Sequence, residues 1–346
     1  MIDVIIPVYN TPIEDLKRCF ESIQNQTYNN WNAIIIDDGS KEDVYLWLDD
    51  WSNKDKRFIV KHIKNCGVSN ARNYALSISN SDYVVFCDSD DCLTDRSLEE
   101  GILLIEKYNA DMVIGGTKLV YNGDKHNHIV YAANKEALYD EENINKLFEY
   151  LLTGKPKKDD NILNKLLAAR VYSKIYKREL IDNLDFPNDL KIHEDNFYSF
   201  KILMKCKKVF VTDSIWYEYY QNDYSLTHQN YNENSLTQEM IFANKVYLLR
   251  DFLIERNLYE PFKIRMFNIM VQYLKNLRKK EGDKKEKIKE LFDSDCFIDV
   301  ENIKISKYRF FNFSNYIFAI LINIKNKSLK IFLLNILLDF LSNFNI

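Results

Sequence analysis

Short apolar runs alternate with helical stripes through the N-terminal third of the chain, and few architectures accommodate that alternation. Val4-Ile5-Ile6-Pro7-Val8, Ala33-Ile34-Ile35-Ile36, Phe58-Ile59-Val60, Tyr83-Val84-Val85-Phe86-Cys87 and Met112-Val113-Ile114 have strand length and β-branched or aromatic character. Helical stretches fall near 42–51, 68–79 and 95–107, and Ile13, Leu16, Phe20 and Ile23 mark one face of a helix after the first strand. Thr11-Pro12-Ile13-Glu14 supplies the pattern of an N-cap, a first-turn proline and a capping-box glutamate for that helix. Together these predict an α/β fold with a doubly wound, mainly parallel sheet. The pattern turns helical beyond about residue 230, where a soft boundary is expected, and the polar stretch 154–161 reads as a loop that is either a lid or a linker.

With 346 residues and 46% hydrophobic content, the chain can bury a sizeable core. Its charge is uneven, −9 over residues 1–230 and +5 over residues 231–346. An acidic N-terminal part argues against a nucleic-acid partner, which would need a basic footprint. Cys19, Cys66, Cys87, Cys92, Cys206 and Cys296 lack C-x-x-C spacing and read as reduced thiols. No basic leader precedes the first strand, so a cytoplasmic location is expected. Neither G-x-G-x-x-G nor a P-loop occurs, which removes the usual glycine-rich phosphate cradles.

The apolar run Tyr83 to Cys87 stops at Asp88-Ser89-Asp90-Asp91. Carboxylates emerging at the C-terminal end of a buried strand sit where open α/β sheets bind ligands. Crowded in that way they repel unless a cation neutralises them, and an oxygen-only set favours Mg or Mn over zinc. The competing reading is an Asp-rich turn that caps the next helix.

Further motifs give this cluster a context: Ile5-Ile6-Pro7-Val8-Tyr9-Asn10, Ile36-Asp37-Asp38-Gly39-Ser40, Asn65 to Asn73 containing Gly67 and Arg72, and His193-Glu194-Asp195-Asn196-Phe197. In this order and approximate spacing they resemble the GT-A-fold family 2 glycosyltransferases, inverting enzymes that use nucleotide sugars, of the bacterial surface-polysaccharide type. The resemblance covers about residues 1–230 and does not extend to the C-terminal third. It implies a catalytic domain over 1–230, with a nucleotide-binding half at 1–115 and an acceptor-side half at 116–230, followed by a helical region at 231–346.

The roles that follow are implied by the resemblance. Pro7 and Tyr9 would meet the nucleobase, Asp38 would accept a hydrogen bond from its N3-H, and Gly67, Arg72 and the following helix start would face the pyrophosphate of a UDP-sugar. Asp88 and Asp90 form the D-x-D: Asp90 would ligate Mn2+ or Mg2+, and Asp88, beside Ser89, would contact ribose or a metal-bound water. Asp91 is left as a structural cap. Asp195 would be the base that deprotonates the acceptor hydroxyl, with Glu194 as its rival, and His228 stands either as a further metal ligand or as a solvated loop histidine. His193 either orients the acceptor or merely precedes a helix. The basic residues of Ser173 to Leu180 either approach diphosphate or start a helix, and Trp216, Tyr217 and Tyr219 either stack on sugar or belong to a strand core.

No acidic residue occurs between Glu301 and Asp339, while lysines punctuate apolar stretches. The uncharged run Phe310 to Ile324 is shorter than the ~20 residues a spanning helix needs. A stripe from Leu329 through Phe332, Leu333, Ile336, Leu337, Phe340 and Leu341 fits either a peripheral contact with the cytoplasmic face of the plasma membrane or packing within the protein or a homodimer. The expected activity is transfer of one sugar from a UDP-sugar to a glycan or lipid-linked saccharide acceptor. The alternatives are a catalytically silent sugar-binding or scaffold protein of the same fold, and a sugar nucleotidyltransferase, whose glycine-rich phosphate loop is missing.

Overall fold

The structure is a computed structural model. It describes residues 1–121, 129–153, 170–221, 233–277 and 284–300, together with Leu321, Lys325, Lys327, Ser328, Lys330, Ile331, Leu333 and Leu334. His228, the stretch 154–161, all of Phe310 to Ile324 except Leu321, and most of the stripe after Leu329 lie outside the described residues. The chain divides into two compact units, Met1–Gln229 and Asn230–Ile346.

The first unit begins with β1 (Ile2–Val8), α1 (Ile13–Gln24), β2 (Trp31–Asp37), α2 (Glu42–Lys54), β3 (Phe58–His62), α3 (Val68–Ile78) and β4 (Tyr83–Phe86). After the short β5 (Cys92–Leu93) come α4 (Ser97–Tyr108), β6 (Met112–Tyr121), β7 (Ile129–Tyr131), β8 (Ala137–Tyr139) and α5 (Asn145–Thr153). Then follow β9 (Lys174–Lys177), one helical turn at Arg178–Ile181, α6 (Glu194–Lys205) and the long β10 (Val209–Gln221). The sheet order is β3-β2-β1-β4-β9-β6-β10-β5, with β7 on β6 and β8 on β10.

The pairs β3-β2, β2-β1 and β1-β4 are parallel, as crossover connections through helices allow, and they form the predicted N-terminal part of the sheet. β9 then enters antiparallel between β4 and β6, so the sheet as a whole is mixed. In register, Val8 stands beside Asp37 and Asp37 beside His62, which lines up the C-terminal ends of three strands at one rim.

Helix α1 buries Leu16, Phe20 and Ile23 of the predicted stripe together with Cys19, while Ile13 at its start is half-buried. Its start differs from expectation: Pro12 occupies the N-cap position and no side chain caps the helix. Thr11 Oγ1 is instead hydrogen-bonded to Ser89 Oγ at 2.7 Å, because the hydroxyl is buried against the loop after β4. Aromatic packing secures the floor of the sheet, with Phe86 edge-on to Tyr176, Phe186 and Tyr198 at 5.8, 5.5 and 6.1 Å.

The second unit contains α7 (Glu233–Tyr247), α8 (Arg250–Glu255), α9 (Tyr259–Leu277), α10 (Lys284–Asp293) and a 3-10 turn at Asp295–Val300. Phe242, Phe262, Met266, Met270, Leu274 and Ile288 are buried within it. Among the described residues no helix is long and apolar enough to cross a membrane. Two of the C-terminal lysines face protein: Lys330 is buried with its ammonium over the Phe292 ring, and Lys327 pairs with Asp293.

Candidate active site

Three turns at the C-terminal rim of β1, β2 and β3 hold one another through backbone groups. Asp37, fully buried at the end of β2, accepts from the Ser40 amide at 2.9 Å and faces His62 Nδ1 at 2.7 Å. His62, given no role by the sequence, also meets Asp49 at 3.2 Å and stacks on Tyr45, so it braces this turn. Gly39 follows at φ 77°, a left-handed conformation that disfavours a side chain, and an added Cβ would stand 2.9 Å from the Asn65 amide nitrogen.

Asn10 donates its amide to Ser40 Oγ at 2.8 Å, and its side-chain oxygen accepts the Lys41 amide at 2.9 Å. The neighbouring Tyr9 ring is left 56% exposed at the rim, and Pro7 is half-buried beside Ile36. Asp38 is buried and accepts the amides of Cys66 and Gly67, one on each oxygen, at 2.7 and 2.8 Å. A carboxylate has roughly four lone-pair sites, so these bonds leave acceptor capacity for a ligand N–H. Gly67, at φ 92°, begins α3 with open space where a Cβ would be.

The acidic cluster is clamped from three sides. Asp88 accepts from Arg72 Nη2 at 2.9 Å, and the same guanidinium donates from Nη1 to Glu194 Oε1 at 3.2 Å. Arg72 is therefore the buried link between the D-x-D and the acidic pair that opens α6. Arg18, which sequence reasoning missed, donates to the Asp90 carbonyl at 2.7 Å while lying 3.8 Å over the Tyr220 ring. Ser89 is buried on Thr11, and the Asp90 side chain is half-buried.

Asp91 is structural, but it is not a helix cap. Position 96 precedes α4 without any side-chain cap, while Asp91, completely buried, accepts the Tyr217 hydroxyl at 2.7 Å and the Tyr220 amide at 2.8 Å. Tyr217 OH in turn accepts the Asp88 amide at 3.0 Å, so β10 fixes the backbone of the cluster. Burial, reinforced by the charges of Asp90 and Asp88, pushes the Asp91 carboxyl well above the usual carboxylate range.

On the opposite side, α6 starts after His193, which stands in the left-handed region at φ 71°. Burial, followed by repulsion from Asp195, raises the Glu194 carboxyl to about 7 against the attraction of Arg72. Asp195 accepts from Arg170 Nη1 at 3.2 Å with one oxygen and from the Asn196 amide at 2.7 Å with the other. Arg170 is another contributor that sequence reasoning missed. A basic side chain far along the chain carries no local signal of such a pairing.

The basic stretch Ser173 to Leu180 is framework. Lys174 is buried and donates to the Arg170 carbonyl, Lys177 lies 3.9 Å from Asp111, and Arg178 meets Asp182 and the Leu76 carbonyl at 2.8 Å. Trp216 and Tyr217 are likewise core: Trp216 fills the space where a Cβ on Gly115 would come within 2.3 Å, and Tyr217 stacks on Tyr172 at 4.3 Å.

The arrangement gathers an exposed aromatic ring, a buried acceptor carboxylate, two rim carboxylates and a second acidic pair at one end of the sheet. Comparison with known proteins gives the family. The profile of Glycosyl transferase family 2 matches residues 3–184, more than half of the chain. Glycosyltransferase GlyG of Streptococcus pneumoniae is 25% identical over 307 residues, 87% of this chain and 97% of its own length. Poly(ribitol-phosphate) beta-N-acetylglucosaminyltransferase TarP of Staphylococcus aureus is 29% identical over 254 residues, 71% of each chain. Glycosyltransferase GlyA of S. pneumoniae is 30% identical over 221 residues, but the chain spans only 30% of its length. Among solved structures, S. aureus TarS 1-349 in complex with UDP-GlcNAc superposes with a TM-score of 0.55 at 18% identity, covering 80% of this chain and 81% of that one, a likeness of fold. The chain belongs to glycosyl transferase family 2 and is a glycosyltransferase of GT-A fold.

Proposed function

We propose that this glycosyltransferase moves one sugar from a UDP-sugar, with inversion, to a hydroxyl of a cell-surface glycan or of its lipid-linked precursor. The observation that carries the reading is Arg72, whose guanidinium joins Asp88 to Glu194, the latter 122 positions from Arg72 in sequence. Donor-side and acceptor-side carboxylates thereby face a common space at the C-terminal end of parallel strands, the usual ligand crevice of such sheets. The TarP name and the UDP-GlcNAc held by TarS support the donor class and the surface-polymer acceptor.

In this reading Tyr9 stacks on uracil and Asp38 takes the N3-H while keeping its two amides. Asp88 and Asp90 offer an oxygen-only set that suits a hard divalent cation. Among the described residues no three His, Cys, Asp or Glu side chains form a metal-holding group, so phosphate oxygens and water would have to complete the shell of any ion held there. Such an ion would offset the charge that gathers on the departing diphosphate.

Asp195 takes the acceptor proton as the hydroxyl oxygen attacks the anomeric carbon from the face opposite UDP. Glu194 is the lesser candidate because its carboxylate is tied through the shared Arg72 guanidinium to Asp88 of the D-x-D. The enzyme works in the cytoplasm, and any lipid contact runs through parts of the C-terminal region other than Lys327 and Lys330. Liposome co-sedimentation of full-length protein against a chain ending near residue 302 tests that contact, and equal sedimentation removes it.

A donor screen that reads released UDP with Mn2+ present tests the activity, with UDP-GlcNAc and UDP-glucose run first. Turnover of a UDP-sugar that vanishes in D195N supports the reading. Turnover of no UDP-sugar with any glycan or lipid-linked acceptor contradicts it.

A further inference from the structure

Lys174 occupies an improbable place for a lysine. Its side chain is buried and lines a small, mainly apolar cavity with Met112, Ile114, Leu151, Ile202, Tyr176 and Ser199. Burying an ammonium among apolar groups is unfavourable, and a methionine of similar length would pack there without desolvating a charge. Burial pushes the amine down to about 7, against the pull of Asp195 and together with the repulsion of Arg170. The fold therefore carries this lysine at a cost to its own stability.

What Lys174 holds suggests why. The segment from 170 to 173 is pinned at successive points: Tyr176 OH donates to the Val171 carbonyl at 2.8 Å, and Ser173 Oγ reaches the Gly115 and Gly116 carbonyls at 3.0 and 2.9 Å. The Arg170 carbonyl receives Lys174 Nζ, with Ser199 Oγ at 3.5 Å. The Arg170 guanidinium then reaches Asp195 at 3.2 Å.

We propose that Lys174 is a positioning residue for the reaction: its ammonium fixes the Arg170 backbone, and Arg170 fixes the carboxylate of Asp195 in the orientation that accepts the acceptor's proton. The inference rests on the reading of Asp195 as the base. Lys174 touches neither donor nor acceptor in this account. Its influence is geometric, and displacement of a reacting group by about 1 Å can lower a rate 100-fold.

The test is a double-mutant cycle on the full chain with K174M, R170M and the pair, measured alongside D195N. The K174M melting temperature is expected to equal or exceed that of the wild type. Its UDP affinity by calorimetry and its donor KM should stay within about twofold, while kcat falls about 10- to 100-fold. The double variant should be no slower than R170M, because the two residues act through one carboxylate. A wild-type kcat in K174M, or losses that multiply in the pair, overturns the proposal. If K174M fails to fold, S199A decides instead: a lower kcat at constant UDP affinity supports the chain of contacts, and an unchanged kcat overturns it. A D195N protein with nearly full kcat overturns the base reading separately, whatever K174M does.

Discussion

The two sides of the rim are built by different means. On the side proposed to bind the donor, Asp37, Asp38 and Asn10 are held largely by backbone amides from turns that lie close to them in space. On the side proposed to bind the acceptor, Glu194 and Asp195 are held instead by the guanidinium groups of Arg72 and Arg170. Amides do not titrate and a turn has little freedom, so the donor side is a preformed cradle. Buried ion pairs are different, because removing one partner strands the other without compensation. Binding and chemistry should therefore respond separately to substitution.

The largest effect is expected at Asp195. D195N should lower kcat about 100- to 10,000-fold, the usual loss on removing a general base, while calorimetry shows UDP binding unchanged. E194Q should retain more activity than D195N, and the reverse order would exchange their roles. Next comes the link between the two sides: R72M leaves Glu194 and Asp88 without their shared cation and should destabilise the fold by about 3–5 kcal/mol in denaturant unfolding. On the donor side, Y9A should weaken UDP binding by about 1–3 kcal/mol, the usual worth of a base–aromatic stack, with kcat at saturating donor little changed. Parallel losses of kcat and affinity in Y9A would dissolve the distinction between the two sides.

The smallest expected effect is the pH dependence of stability. Glu194 titrates near 7 in the fold against a reference value of 4.5, so the folded protein holds the extra proton between those values and loses stability as pH rises through them. Lys174 titrates near 7 against 10.5, so its contribution recovers as pH rises from 7 toward 10.5. The melting temperature of E194Q relative to wild type should thus climb from pH 5 to pH 7 and then level off. The K174M advantage should shrink above pH 7. Flat differences across both windows would contradict the burial assigned to these groups.

The same contrast explains what could be read in the sequence. The parallel strands β1 to β4 and the turns after them were legible because each is a local pattern: an apolar run, then Asn10, Gly39 or an Asp cluster at its end. β9 was hidden, since Lys174-Ile175-Tyr176-Lys177 begins and ends in lysine and resembles a surface charge cluster. Burial of Lys174 is decided by tertiary packing, which no local periodicity reports. Thr11 and Asp91 show the same limit in reverse. Both have cap-forming side chains next to helices, yet both bond across the fold, Thr11 to Ser89 and Asp91 to β10. Arg18 and Arg170 carried no signal because an arginine's partner is set by where distant strands bring it.

The stereochemistry of the product distinguishes this arrangement from its rivals most directly. Under the proposed role of Asp195, acting from the face opposite the diphosphate, attack on an α-linked UDP-sugar gives a β-glycoside. Proton NMR of the product formed from UDP-GlcNAc, or from whichever UDP-sugar the screen selects, reads the anomeric coupling directly. A large diaxial coupling from a gluco-configured β-product is the expected result, and a small α coupling from the same donor would contradict a single base acting across the site from UDP.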